Sequence, residues 1–282
     1  MAEKLVPLPT IEKLSERVIR VLGGNPNKFT LQGTNTYIVG QGPKRILIDT
    51  GEGKPAWIAS IKSVLSSENI VIEKTLLTHW HHDHIKGVPD LLKHSPDTKI
   101  HKKDQGDDEW QDIDDGQKFE VEGATLRAFH CPGHTTDHMA FILEEEDAMF
   151  TADNVLGQGT AVFEDLATYM SSLSSMSTAF KGRAYPGHGP VIEDGPAKVL
   201  EYIKHRQLRE RQVIDVLKGE KKGGWTSMDI VKVIYKGYPE NLWEPAERGI
   251  LQILVKLEDE GTVMHDEKHD TYALSGKEKE RL

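Results

Sequence analysis

The chain has 282 residues, of which 37% are hydrophobic and 28% charged, and this composition excludes disordered and fibrous proteins. Its length suffices for one large α/β domain or two unequal domains. The net charge of −10 argues against general attraction to nucleic acid, and no stretch has the roughly 18 consecutive apolar residues of a membrane span.

The first residues show no pattern of a leader peptide. Residues 1–14 include Glu3 and Glu12, and they have neither a long apolar core nor the arginine-rich character of a transit peptide. The single cysteine, Cys131, cannot form an internal disulfide, which is typical of a reducing compartment. We therefore expect a cytoplasmic protein without a membrane partner.

Strands and helices alternate in the first part of the chain. Residues 44–49 have the pattern of a short buried strand, residues 56–66 that of a helix, and residues 73–78 that of a second strand. Another helix is predicted to open at Val88 and Pro89, because proline is tolerated in a first helical turn. The pattern indicates an α/β fold in which polar residues follow the strands.

Four more short strands are predicted before residue 152, over residues 98–101, 124–130, 138–143 and 148–151. Each is bounded by Gly, Pro or Asp. Functional residues of layered α/β proteins gather on the loops that leave strand ends. We therefore expect the polar residues after these strands to form a common site.

The pattern changes after Gly195, where a long helix is predicted over residues 196–218, followed by a break over residues 219–224. Thr226 and Asp229 fit a capping box that opens a second helix, and Pro245 is predicted to open a third. Residues 262–274 resemble a hairpin that turns at residues 266–268. We predict a first domain over residues 1–195 and a small winged-helix-like domain over residues 196–282.

Residues 79–84 (HWHHDH) place several metal-binding side chains directly after a strand. Three further candidates stand beside glycines or at strand ends elsewhere, where backbone can approach a metal closely. One site is predicted to contain three histidines and a second site two histidines and an aspartate, with another aspartate bridging them. The predicted ligands are His79, His81 and His134 for the first site, His84, Asp83 and His188 for the second, and Asp153 as the bridge.

Imidazole combined with carboxylate suits Zn²⁺, although Mn²⁺ and Fe²⁺ accept the same ligands. Two metals about 3.5–4 Å apart around an activated water form a site that hydrolases use. The sequence therefore predicts a hydrolase with two Zn²⁺ per chain. A non-enzymatic metal protein would be favoured only if one of the seven ligands were missing.

Four residues have predicted roles beside or beyond metal binding. Asp83 is the candidate catalytic residue that orients the water and moves its proton. Asp49 is expected to hold a ligand histidine through its second ring nitrogen, and the alternative for it is an aspartate that only stabilises a turn. His138 is either a similar supporting residue or part of the core. Lys86 is a candidate substrate contact, and the alternative for it is a solvated lysine beside a helix.

These residues in this order resemble the metallo-β-lactamase superfamily. More narrowly, residues 30–37 (TLQGTNTY), 132–135 (PGHT), 162–166 (VFEDL) and 185–190 (YPGHGP) resemble the beta-lactamase-like protein 2 family over almost the whole chain. The resemblance implies an αββα sandwich with a dinuclear site at one edge and a small C-terminal winged-helix domain. The only cysteine precedes His134, unlike the cysteine ligand of common zinc β-lactamases, so β-lactam hydrolysis is not expected.

Two branches of this family differ in substrate. One contains endoribonucleases that cut single-stranded RNA, and the other contains fungal hydrolases that release polyketide chains from an acyl carrier protein. Residues 151–157 (TADNVLG) and 159–166 (GTAVFEDL) look more like the fungal branch. We therefore favour an acyl thioester on an acyl carrier protein, or a small acyl substrate, with single-stranded RNA as the alternative. No oligomeric state is predicted.

Overall fold

The computed structural model describes residues 5–104, 110–219 and 221–276. The chain forms two compact units, the first comprising Met1–Glu164 with Thr168–Leu200 and the second Asp165–Ala167 with Glu201–Leu282. The domain boundary at residue 195 stays a prediction. None of the described helices is both long enough and apolar enough to cross a membrane.

The first unit begins with a six-stranded sheet in which neighbouring strands follow one another in sequence. The first four strands pair antiparallel, and the fourth to sixth pair parallel. Parallel strands need crossover connections, which here contain the helices α1 (Pro55–Glu68), α2 (His82–Ile85) and α3 (Val88–His94). The strands are β1 (Ile11–Lys13), β2 (Val18–Leu22), β3 (Asn35–Val39), β4 (Lys44–Ile48), β5 (Val71–Leu77) and β6 (Lys99–Lys102).

A five-stranded second sheet has the order β11-β10-β9-β8-β7. Only β10 and β11 pair parallel, and α4 (Leu166–Ala179) connects them in the chain. The strands are β7 (Lys118–Val121), β8 (Ala124–His130), β9 (Met139–Leu143), β10 (Ala148–Ala152) and β11 (Ala184–Pro186).

The main core lies between the two sheets. Alternate residues of the first sheet, such as Val39 and Ile48, pack with Phe141 and Phe150 of the second. On the other face of the first sheet, Trp57 of α1 and Leu91 of α3 belong to a second apolar cluster. This is the predicted αββα sandwich, in which two rigid sheets hold the loops at their strand ends.

The second unit contains most of α5 (Gly195–Leu217), α6 (Ser227–Ile234), α7 (Trp243–Asp259) and a hairpin of β12 (Val263–Asp266) and β13 (Thr271–Leu274). The predicted capping box is present, with Thr226 and Asp229 bonding to each other's backbone N–H. The third helix begins at Trp243, two residues before Pro245, because proline is also tolerated within the first turn. Helices followed by a hairpin make the predicted winged helix.

Candidate metal centre

Strand ends of both sheets supply the predicted metal ligands. In the first sheet, β5 ends at Leu77 and leads into residues 79–84, and the short α2 begins within this segment at His82. In the second sheet, the loops after β8, β10 and β11 carry His134, Asp153 and His188. Ligands that lie far apart in the chain therefore meet at one edge of the sandwich.

The side chains form two groups of candidate ligands. The first ligand group is His79, His81, His134 and Asp153, and the second ligand group is Asp83, His84 and His188. Within each group, one ligand atom per residue lies within 4.8 Å of all the others. The grouping matches the two sites expected from sequence, and the assignment of these residues as metal ligands stays a prediction.

Distances within the first ligand group fit a small cation. His81 Nδ1 lies 3.0 Å from both His79 Nε2 and His134 Nε2. Ligand atoms ~2.0–2.1 Å from a tetrahedral zinc lie ~3.3 Å apart, close to these separations. Three ring nitrogens that converge in this way can share one cation.

Asp153 adjoins both groups. Its Oδ2 lies 3.6 Å from His134 Nε2 in the first group and 3.2 Å from His188 Nε2 in the second, and its Oδ1 lies 3.5 Å from His84 Nε2. Asp83 Oδ2 lies 3.4 Å from His84 Nε2 and 3.3 Å from His188 Nε2. The Asp153 carboxylate is therefore placed to serve both groups.

Two buried polar atoms support cation binding. His84 Nε2 and Asp153 Oδ1 have no hydrogen-bond partner among the described residues, although buried polar atoms normally have one. The ion-pair partners of Asp83 and Asp153 in the described chain are histidines. Carboxylate oxygens and histidine ring nitrogens that converge in this way are a donor set that zinc accepts, so the residues fit the predicted metal.

Asp49 holds histidines of both groups. Its carboxylate accepts from the Thr78 backbone N–H (2.8 Å) and hydroxyl (2.9 Å), and it lies 2.7 Å from His84 Nδ1. Because the Thr78 proton points to Asp49, the hydroxyl oxygen accepts from His79 Nδ1 at 2.9 Å. Protons on both Nδ1 atoms leave both Nε2 lone pairs facing the site. The predicted role of Asp49 thus has a geometric basis.

His134 and Asp153 are held from the second sheet. His134 Nδ1 lies 2.8 Å from the Val162 carbonyl, which can only accept, so Nε2 is the free ligand atom. His138, which is fully buried, accepts the Asp153 backbone N–H at Nε2 (3.2 Å), and its Nδ1 lies 3.3 Å from Cys131 Sγ. His138 therefore contacts the backbone of the bridging aspartate.

The backbone at the site requires particular residues. A Cβ on Gly187 would lie 2.2 Å from Asp153 Oδ1, so only glycine fits between the aspartate and His188. Asp49 (φ 59°) and Ala152 (φ 42°) adopt left-handed backbone, which is uncommon outside glycine. Sharp strand exits at these two positions direct the carboxylates of residues 49 and 153 toward the histidines.

Charge and burial shift the pKa values of the site in opposite directions. Burial lowers the pKa of His79 well below its ordinary value and that of His81 to about 4. Burial has the same tendency at His188, but Asp153 and Asp83 outweigh it and raise its pKa to about 9. Burial would raise the pKa of Asp83, yet the charges of His84 and His188 hold it well below the ordinary range. Asp83 is therefore a carboxylate at neutral pH.

A cavity of about 350 Å³ opens onto both ligand groups. Its walls come from two loops, residues 28–31 and residues 156–162. Phe29 and Val162 are 74% and 65% exposed, so both present apolar surface beside the polar site. Lys86 is exposed and is not among the residues that line this cavity, so its contact with substrate stays a prediction.

Sequence reasoning missed several residues that contact the predicted ligands. Thr78 joins Asp49 to His79, and Thr34 donates from Oγ1 to Asp83 Oδ2 at 2.9 Å. Threonine has no distinctive spacing, and the only signal was the position of Thr34 within residues 30–37. Cys131, the single cysteine, is fully buried against His138.

Comparison with known families gives two matches along the chain. The metallo-beta-lactamase superfamily profile matches residues 29–190. The profile of the beta-lactamase associated winged helix domain matches residues 226–271.

Curated relatives are similar over most of their length. An atrochrysone carboxyl ACP thioesterase of Aspergillus chevalieri is 49% identical over 261 residues, covering 90% of this chain and 85% of the relative. A lactamase-like protein of Arthroderma gypseum is 50% identical over 270 residues, covering 91% of this chain and 86% of that relative.

Among solved structures, a beta-lactamase domain protein from Burkholderia ambifaria superimposes with a TM-score of 0.81 at 16% identity, over 95% of each chain. A metallo-beta-lactamase family protein from Thermus thermophilus gives a TM-score of 0.72 at 20% identity, over 93% of this chain and 100% of that one. At such low identity these structures show the shared fold alone.

Proposed function

Because this chain belongs to the metallo-beta-lactamase superfamily, we propose that it is a dinuclear zinc hydrolase that cleaves an acyl thioester. The substrate class is a polyketide-like acyl chain held on an acyl carrier protein. One observation carries the proposal: two adjoining groups of candidate ligands open onto a single cavity with apolar walls. The relative from Aspergillus chevalieri, named as a thioesterase for a carrier-bound acyl group, supports the substrate class.

Each ligand group would hold one Zn²⁺, with Asp153 placed between them. When bound, two zinc ions supply Lewis acidity, which lowers the pKa of a water molecule toward neutrality and polarises a carbonyl oxygen. The protein fixes the lone pairs of His79, His84 and His134 toward the metals through partners on their other ring nitrogens. Such prior orientation avoids rearrangement during the reaction.

Asp83 would orient the attacking water and accept its proton. Its side chain is 22% exposed, twice the 11% of Asp153, so a water or substrate in the cavity can reach it. Its low pKa keeps the carboxylate ionised at neutral pH, so that it can accept a hydrogen bond from the water. Water adds to the acyl carbon, the carbon–sulfur bond breaks, and the proton held on Asp83 can pass to the leaving thiolate.

The cavity walls suit an acyl chain better than a phosphodiester backbone. Four large apolar side chains line the cavity beside the ligand groups: Phe29, Leu31, Leu156 and Val162. Lys28 is the lysine among the lining residues. Burying an apolar chain against exposed apolar side chains is favourable by about 25 cal/mol per Å². A groove for single-stranded RNA would instead carry several basic side chains along its length. We therefore place RNA cleavage second.

The test is turnover of two substrates by one preparation. An acyl thioester of an acyl carrier protein and a single-stranded RNA would be incubated with zinc-loaded, chelator-treated and zinc-restored enzyme. We expect thioester hydrolysis that disappears with chelation and returns with zinc, while the RNA stays intact. Zinc-dependent RNA cleavage without thioester hydrolysis would overturn the substrate class, and hydrolysis unaffected by chelation would overturn the metal mechanism.

A further inference from the structure

We infer that Asn25, Thr34 and Asn35 are positioning residues that preorganise the second ligand group while leaving the first ligand group independent of them. The inference rests on the proposed function, because it takes the two groups to bind separate zinc ions. These three side chains are at most 4% exposed. None of them has a metal-binding pattern in the sequence.

Thr34 directs a proton at the Asp83 carboxylate. Its hydroxyl donates to Asp83 Oδ2 at 2.9 Å and accepts from Asn25 Nδ2 at 3.0 Å. An amide NH₂ group can only donate, so the single hydroxyl proton is left for Asp83. Asp83 Oδ2 is also the oxygen that faces His84 and His188, so Thr34 fixes the rotation of the carboxylate within the second ligand group.

Asn25 is itself held in one orientation. Its Oδ1 accepts the Thr34 backbone N–H at 2.9 Å, which places Nδ2 toward the Thr34 hydroxyl. Its backbone carbonyl accepts from Thr30 Oγ1 at 2.5 Å. A Cβ on Gly23 would lie 2.7 Å from Asn25 Oδ1, so the chain leaves room for this amide only by using glycine there. The donor to Asp83 is thus oriented before any metal binds.

Asn35 holds the loop that carries His188. Its Nδ2 donates to the carbonyls of Pro186 and Gly189, both at 2.9 Å, and its backbone N–H donates to Gly187 O at 2.7 Å. Both amide protons are used, and the two carbonyls lie on either side of His188 in the chain. The start of β3 therefore holds two members of the second ligand group, Asp83 through Thr34 and His188 through Asn35.

The first ligand group is held from elsewhere in the described chain. His79 is oriented by Thr78, His134 by the Val162 carbonyl, and Asp153 through its backbone by His138. Loss of the Thr34 hydroxyl should therefore weaken one zinc site and not both. A general loss of structure would weaken both sites together, so the two explanations give different results.

Zinc affinity of Thr34→Val tests the inference without measuring turnover. Valine keeps the shape of threonine and removes the hydroxyl. Thr36→Val is the matched control, because Thr36 lies two residues later in β3 and is equally buried, and its hydroxyl bonds to Val21 O and Trp57 Nε1 rather than to a ligand. Each site would be titrated by competition with a chromogenic chelator, and bound zinc would be counted by mass spectrometry of the metal.

In Thr34→Val we expect the zinc of the second ligand group to lose affinity by about 10–100-fold while the other zinc is unchanged, since supporting contacts typically contribute this much. Thr34→Ser should restore binding, and Thr36→Val should bind both ions normally. Asn25→Asp, which still accepts the Thr34 N–H but cannot donate to its hydroxyl, should resemble Thr34→Val.

Three outcomes would contradict the inference about Asn25, Thr34 and Asn35. Unchanged affinity at both sites in Thr34→Val and Asn25→Asp would overturn this inference alone, as would parallel loss at both sites in Thr34→Val. A wild-type protein that binds fewer than two zinc ions would overturn the proposed function itself.

Discussion

Asp83 is a predicted ligand that contacts the other two members of the second ligand group, His84 and His188, and also lines the cavity. Asp83→Asn preserves the size of the side chain and one coordinating oxygen but cannot accept a proton as a carboxylate does. Turnover should therefore fall by ~10²–10⁴-fold, the usual contribution of a positioned acid or base. Bound zinc, measured on the same preparation with zinc in excess, should still fill both sites, because the amide oxygen can coordinate the ion even though it binds less tightly than a carboxylate.

The control is Asp90→Asn, which removes a carboxylate from α3, where it pairs with Lys93, and should leave turnover unchanged. Near-normal turnover of Asp83→Asn with both zinc ions retained would show that Asp83 is only a ligand.

Substitution of Asp49 should weaken zinc binding rather than the chemical step. Asp49 supports both ligand groups, because it contacts His84 directly and reaches His79 through Thr78. In Asp49→Asn, an amide NH₂ at the Oδ2 position would face both the Thr78 hydroxyl and His84 Nδ1, and at the Oδ1 position it would face the Thr78 backbone N–H, although all three groups donate to the carboxylate. We expect the affinity for both zinc ions to fall by about 10–100-fold, measured by chelator competition. A loss confined to one zinc would contradict the shared role of this carboxylate.

The candidate ligands and the support from Asp49 could be predicted from sequence, but the contacts of Thr34 and Asn35 could not. Histidines and aspartates beside glycines after strands are distinctive, since few structural roles need them at such spacing. Thr34 and Asn35 are ordinary strand residues by composition. The contact of Thr34 with Asp83 spans 49 residues, and that of Asn35 with Pro186 spans 151, so only the fold reveals them.

At the scale of elements, the N-terminus of α6 is fixed by both hydrogen bonds of a capping box. Thr226 Oγ1 accepts the Asp229 N–H, and Asp229 Oδ2 accepts the Thr226 N–H. Thr226→Ala should lower the free energy of helix opening by ~0.5–2 kcal/mol. Amide hydrogen exchange of α6 in the full chain should accelerate accordingly, while the amides in the middle of α7 serve as the internal control. Unchanged exchange in α6 would show that packing, and not the cap, limits its opening.

Acid should weaken the same cap. Hydrogen bonds from Lys221 and Thr226 lower the pKa of Asp229 from 3.8 to about 2. A lowered folded-state pKa means that the stabilisation is present above pH 3.8 and is lost as the pH falls toward 2. The effect of Thr226→Ala on α6 exchange should therefore be largest at neutral pH and decrease below pH 4.

The elements missed from sequence have features that obscure their patterns. In β2, Arg20 lies in the middle of an apolar strand yet is 1% exposed, because it pairs with Glu12 on β1. In β3, the buried residues include Asn35 and Thr36, so the apolar run of this strand has only three residues, Tyr37, Ile38 and Val39. In α4, serine and threonine are frequent and lower the helix propensity. The predicted β8, by contrast, has clear apolar alternation and was located correctly.

At the scale of the whole molecule, the fold class follows from sequence more securely than the substrate does. The sandwich and winged helix predicted from patterns and resemblance are confirmed by the family matches and by structures at 16–20% identity. A fold that is retained at such identity accommodates many chemistries. Substrate choice depends instead on the cavity walls and on charge, which vary without altering the sandwich.

Charge distribution yields a prediction about salt. Residues 1–200 contain 20 Lys/Arg and 29 Asp/Glu, and residues 201–282 contain 15 and 16, so neither part has a positive excess. A protein that neutralises several phosphates loses ~10³–10⁵-fold in affinity between ~50 and ~200 mM salt. We expect kcat/KM for a small acyl thioester, which lacks such contacts, to change less than ~threefold over that range.

Binding of single-stranded RNA, measured in the same buffers by fluorescence anisotropy, is the comparison. Because the winged-helix residues have a net charge near −1, we expect only weak binding even at the lowest salt. Tight RNA binding at low salt that falls steeply as salt rises would mean that a local basic surface outweighs the net charge. RNA would then rank above the thioester as the substrate, since the same zinc chemistry serves both reactions.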